Sequence, residues 1–137
     1  MQRTVPLILV VDHDAATLVV CDEVLRSAGY ATIGCQTARE AQRHIHTDRP
    51  DLVIVDLHLE WYEAGWDLIC LLRQVPTTAT LPVIVCSTDQ RALRTRQRQL
   101  RAWQCQILGK PFTMGQLLMA VQAVIALAPL RSRTVGE

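Results

Sequence analysis

The stretch that decides the fold is ILVVDHDAAT, residues 8–17. Four apolar residues, Ile8 to Val11, run straight into Asp12, His13 and Asp14. A carboxylate at the edge of a core is costly to desolvate unless something pairs with it. The stretch therefore reads as a buried strand with a polar task at its end. A helix is expected next, with Asp14 as its cap, Leu18, Cys21, Leu25 and Ala28 on one face, and Gly29 as its stop.

Working outward, the same alternation recurs along the chain. Strands are expected at 6–11, 30–35, 51–55, 81–86 and 105–108, several of them apolar on both faces. Near-continuous apolar strands fit a parallel sheet covered on both sides. Further helices are expected over 38–46 after Thr37, over about 66–75 before Pro76, over 90–102, and from a Thr113 cap to Leu127, with Leu117, Val121, Val124 and Ala128 in line. Strict strand–helix alternation predicts an α/β fold, a (βα)5 doubly wound five-stranded parallel sheet of the flavodoxin-like kind. Residues 1–128 would form the domain, and 129–137 a tail or the start of a linker.

Size and composition agree with one globular domain. The chain has 137 residues, 50% hydrophobic and 20% charged, with a formal net charge of +1. That balance points to neither a nucleic-acid nor a membrane partner. Cysteines 21, 35, 70, 86 and 105 form no CxxC and no metal-ligand spacing, which reads as buried free thiols in a reducing compartment. The N-terminal apolar run stops at Asp12, too short for a secretory signal, and Leu117–Leu130 is interrupted by Gln122 and Pro129. A cytoplasmic protein without a membrane span is expected.

In doubly wound sheets, ligands bind beyond the carboxyl ends of the strands. After the first strand come Asp12, His13 and Asp14, and the third leads into Asp56 in LVIVDLHLE. The fourth leads into Ser87 and Thr88 in VIVCST, and the fifth into Lys110, the chain's only lysine, in LGKPF. Clustered carboxylates need a cation among them. Oxygen ligands suit Mg2+, which prefers a few carboxylates with waters and a phosphate. Lys110 offers a point charge for a phosphoryl oxygen or for Asp56. A carboxylate so placed can act as a nucleophile and form an aspartyl-phosphate.

These residues resemble, in order and roughly in spacing, the receiver domain of two-component response regulators, the CheY-like family, over about residues 6–128. The resemblance rests on Asp12, Asp56, Ser87 and the Lys110-Pro111-Phe112 triplet, with Gly65 matching the glycine after the phosphorylation loop. It implies that Asp56 takes a phosphoryl group from a histidine kinase or phosphotransfer protein. The acidic pocket would comprise Asp12, His13, Asp56 and the backbone carbonyl of His58, holding Mg2+ with Mn2+ as a substitute. Ser87, with Thr88 beside it, and Lys110 would follow the phosphoryl group, and the face of the fourth helix, fifth strand and fifth helix would report the change or form a homodimer. No enzyme is implied beyond self-catalysed phosphotransfer and autodephosphorylation. Lys110→Ala is expected to keep the fold but uncouple the response.

Several positions depart from the family pattern. His13 stands where a second acid is usual, which lowers the negative charge available to Mg2+ unless Asp14 compensates. His13 and His58 together would suit Mn2+ or Zn2+, because imidazole suits those ions. Glu60 replaces a proline, the loop to Gly65 is one residue longer with Trp61 and Tyr62 in it, and Ile107 replaces the switch aromatic. The alternative reading is therefore a pseudo-receiver, an interaction module that does not depend on phosphorylation. In the fourth helix Arg91, Arg94, Arg98 and Arg101 form a basic stripe, a solvated face or a partner surface, while Arg96 falls among Leu93, Leu100 and Trp103. A haloacid-dehalogenase-like phosphatase also begins with D-x-D, but it needs acids after its lysine; only Glu137 follows Lys110, and Asp56 would have no role.

Overall fold

The computed structural model describes residues 4–127, so the expectations for Ala128 and for the tail 129–137 lie outside the described residues. Five strands alternate with five helices: β1 Leu7–Val11, α1 Ala15–Ser27, β2 Ala31–Cys35, α2 Ala38–Asp48, β3 Leu52–Asp56, α3 Ala64–Gln74, β4 Val83–Ser87, α4 Gln90–Ala102, β5 Gln106–Gly109 and α5 Met114–Ala126. The strands form one sheet in the order β2-β1-β3-β4-β5, every pairing parallel. This is the doubly wound (βα)5 architecture that the alternation predicts.

Strand periodicity divides the core into two layers. Leu9, Val11, Val53, Val55, Val83 and Val85 pack against α2, α3 and α4. Their alternates Ile8, Val10, Leu52, Ile54, Ile84 and Cys86 pack against α1 and α5. Each fully buried Leu, Ile or Val contributes about 2 kcal/mol of transfer free energy. β3 and β4 are buried along their whole length, whereas β5, an edge strand, is partly open.

Local chemistry sets most of the helix starts. Asp14 accepts from the Ala16 N–H, Thr37 from Glu40, Asp89 from Ala92, and Thr113 from Gln116 in a reciprocal capping box. Gly29, at φ 95°, makes the left-handed turn that ends α1. The strands lie within one or two residues of expectation, and two helix boundaries differ by two residues. α3 starts at Ala64, because Glu63 enters it in left-handed conformation without a side-chain cap, leaving no sequence signal. α2 runs on to Asp48, where His44 Nδ1 lies 2.9 Å from Asp48 Oδ2 one turn along.

Cysteines 21, 35, 86 and 105 are buried and Cys70 only half-buried, so the expectation of uniformly buried thiols holds for four of the five. Burial pushes the Cys21 thiol up to about 11 and Cys35 up to about 12, and raises that of Cys86 as well. At neutral pH a mild alkylating agent should therefore modify Cys70 first in the native protein. The other four should react only with denaturant present; mass spectrometry showing early modification of Cys86 would contradict this packing. Among the described residues no helix is long and apolar enough to cross a membrane.

Candidate functional site

The carboxyl ends of β1, β3, β4 and β5 bring Asp12, Asp56, Ser87 and Lys110 to one edge of the sheet. Asp12 is 1% exposed, Asp56 3% and Ser87 1%. Lys110 lies between the two acids: its Nζ donates to Asp12 Oδ2 and, at 2.8 Å, to Asp56 Oδ2. Asp12 Oδ1 accepts the Asp14 N–H at 2.9 Å, and Asp56 Oδ1 accepts the His58 N–H at 3.2 Å. The opening strand thus ends on a carboxylate whose cation comes from the far end of the chain. Buried like charges are tolerable only with such a partner. The Lys110-Pro111 bond is cis, and the Lys110 N–H donates to the Ser87 carbonyl.

His13 Nδ1 lies 3.5 Å from Asp56 Oδ2 and 3.7 Å from Asp12 Oδ1, with its ring open to solvent. Asp12, His13 and Asp56 offer ligand atoms within 4.8 Å of one another. Two carboxylates and an imidazole form a donor set that fits a small divalent cation beside the Lys110 ammonium. His58 does not add a second imidazole. Its Nε2 is 2.8 Å from Asp89 Oδ2, its Nδ1 accepts the Glu63 N–H at 2.9 Å, and its ring stacks on Tyr62. The expected His13–His58 pairing is corrected accordingly. Asp14 is likewise occupied, accepting from Ala16 N–H and Thr17 Oγ1, so it does not replace the missing second acid.

Ser87 Oγ accepts the Asp89 N–H at 3.0 Å. Thr88 is exposed and, with His13, Val20, Asp56, Lys110 and Phe112, lines an open cleft of about 510 Å3 over the acids. Ile107 is half-buried against the α2–α3–α4 layer, paired in register with Val85. Arg91, Arg94, Arg98 and Arg101 are exposed on α4. Arg96 instead pairs with Glu63 at 2.9 Å and covers the Trp66 ring, which stacks on Trp103.

Two side chains that organise the site escaped the sequence reading. Asp89 caps α4 with Oδ1, binds His58 with Oδ2 and donates its N–H to Ser87; its carboxyl is held low by the Ala92 N–H and then by His58. Glu60, noted only as a missing proline, accepts from the Ala38 N–H at 2.7 Å and Arg39 N–H at 3.3 Å, fastening the loop between β3 and α3 to the start of α2. The Glu60 contacts and the Asp89–His58 contact join residues distant in sequence and have no local motif, whereas Asp89 just before a helix over 90–102 is a local capping signal. Glu60→Ala should cost about 1 kcal/mol in a urea titration, with amide shifts confined to this loop and the start of α2; changes spread over the sheet would contradict so local a role.

Residues 8–122 match the family model of the response regulator receiver domain. Over 120 residues the chain is 32% identical to the two-component response regulator ARR11 of Arabidopsis thaliana, spanning 86% of this chain and 22% of that protein. It is 29% identical over 122 residues to the transcriptional regulatory protein PrrA of Mycobacterium bovis, spanning 89% and 51%. The chain thus spans about half the length of PrrA. A response regulator receiver protein from Pseudomonas putida superposes with a TM-score of 0.78 at 32% identity, covering 88% of this chain and 98% of that one. The non-phosphorylated HemR receiver domain from Leptospira biflexa gives 0.78 at 26% identity, covering 90% and 97%.

Proposed function

The chain belongs to the family of response regulator receiver domains, and on that premise we propose that Asp56 accepts a phosphoryl group from a histidine kinase or phosphotransfer protein. The observation that carries this is Lys110, held between the buried Asp12 and Asp56 carboxylates at the mouth of an open cleft. An Asp56 oxygen forms the new P–O bond while the P–N bond of the donor phosphohistidine breaks, and the donor nitrogen takes the electron pair. Lys110 then follows the phosphoryl oxygens, bringing its charge to where negative charge develops. A divalent cation, Mg2+ or Mn2+, would be held by Asp12, Asp56, His13 and the His58 carbonyl, and would supply further charge neutralisation.

The phosphoryl group adds about −1.5 to −2 charges beside Ser87. If the Ser87 hydroxyl turns towards it, the Asp89 N–H loses its acceptor. Asp89 both caps α4 and holds His58, so α4 receives the change without an aromatic ring at 107. The signal would leave through the face of α4, β5 and α5. That face carries Arg91, Arg94, Arg98 and Arg101 but no carboxylate on any of the three elements. A homodimer through it would find no counter-charge of its own, so an acidic protein partner is favoured; nucleic acid is not expected on a domain of net charge +1.

The second reading, a module independent of phosphorylation, draws on His13 in place of an acid and on the Glu60 clamp. The two separate on incubation with a small acyl phosphate and Mg2+ or Mn2+. Intact-mass spectrometry should show one phosphoryl group on the native chain and none on Asp56→Asn. No modification with either ion would favour the phosphorylation-independent module.

A further inference from the structure

Resting on that reading of the pocket as a cation site, we infer that His13, as its nitrogen ligand, tunes the pocket towards first-row transition ions such as Mn2+ over Mg2+. The ring is placed for it. Its Nδ1 faces Asp56 Oδ2 at 3.5 Å and Asp12 Oδ1 at 3.7 Å, and all three residues offer ligand atoms within 4.8 Å. The backbone beneath it is anchored, because Gln36 Nε2 donates to the His13 carbonyl at 3.0 Å. The other histidine nearby has both ring nitrogens engaged, by Asp89 and by the Glu63 N–H.

The selectivity follows from ligand chemistry. Mg2+ gains mainly from charge and hard oxygen donors, and a neutral imidazole in place of a carboxylate removes one negative charge from the site. First-row transition ions bind a nitrogen donor better than Mg2+ does, least for Mn2+ and increasingly towards Cu2+, so they lose less by the exchange. Asp14 cannot restore the charge while it caps α1. The chain therefore trades absolute Mg2+ affinity for discrimination.

The test uses the untagged full chain and its His13→Asp and His13→Ala variants, with Mn2+ as probe followed by electron paramagnetic resonance and displaced by Mg2+. Native protein should bind Mn2+ with nitrogen modulation of the electron spin echo, lost in both variants. The preference for Mn2+ over Mg2+ should fall by about tenfold or more in His13→Asp. Bound Mn2+ without nitrogen coupling, or an unchanged preference in His13→Asp, would overturn the inference and leave the pocket a carboxylate site. No Mn2+ binding in any of the three chains would overturn both the inference and the cation-site reading beneath it. Nitrogen-coupled Mn2+ in a chain that never accepts phosphate would support the inference while removing the phosphoacceptor function.

Discussion

Gly65→Ala is expected to destabilise the domain by on the order of 4 kcal/mol, a cost confined to cases where the structure has no room to relax. A Cβ at this position would lie 1.9 Å from the Asp56 carbonyl oxygen, 2.8 Å from its carbon and 2.9 Å from Leu57 Cα. All three are backbone atoms, so no rotamer change relieves the overlap. The start of α3 would have to move off β3, breaking the 2.8 Å hydrogen bond from the Gly65 N–H to the Leu57 carbonyl and displacing Asp56 with it. Gly34→Ala provides the control: its nearest neighbour would be Leu18 Cδ2 at 3.5 Å, an ordinary contact. That change should stay within about 1 kcal/mol. Urea titrations of both variants check the contrast, and a Gly65→Ala loss as small as that of Gly34→Ala would mean that the Asp56 backbone is not held by close approach of α3.

Lys110→Ala carries the second large effect. Its side chain is 12% exposed between two almost fully buried carboxylates, and its removal leaves them facing each other without a cation. Breaking such an arrangement costs about 3 kcal/mol or more. In the presence of a chelator the variant should lose about that much stability at neutral pH, and a divalent cation should recover much of it by taking the place of the ammonium. The fold itself is expected to persist, while the response of Ser87 to a group on Asp56 should disappear. Burial alone would lower the Lys110 pKa, but hydrogen bonds to Asp12 and then Asp56 reverse this and raise it above its ordinary 10.5. A raised ammonium pKa stabilises the fold fully below the unfolded value and loses that contribution as pH climbs towards the folded one. The stability gap between native protein and Lys110→Ala should therefore be constant on the alkaline side of neutrality and close only above about pH 10.5. A gap already closing near pH 8 would contradict the ion pairing.

The sequence carried the frame of this molecule because the frame depends on local signals. Apolar runs end in polar residues, Asp14, Thr37 and Thr113 announce helix starts, and parallel topology sends every strand end to one edge. That last rule lets Asp12 and Lys110 be placed together although 98 residues separate them. The family resemblance then supplied a role for each. What escaped depends on side chains reaching across loops. Glu60 spans to the start of α2, His58 to Asp89, and Arg96 to Glu63, over 22, 31 and 33 residues. No periodicity or capping rule addresses such contacts. The start of α3 was missed for a related reason: close packing of Gly65 beneath Asp56, not a cap, fixes it.

The most direct test of the phosphoacceptor assignment is an amide NMR titration with beryllium fluoride, a mimic of the phosphoryl group, in the presence of Mg2+ or Mn2+. Saturable, cation-dependent shifts are predicted at Asp56, Ser87, Asp89 and the first turn of α4, and they should vanish in Asp56→Asn. A spectrum unmoved by beryllium fluoride with either cation would contradict the account and leave Asp56 and Lys110 as a structural ion pair.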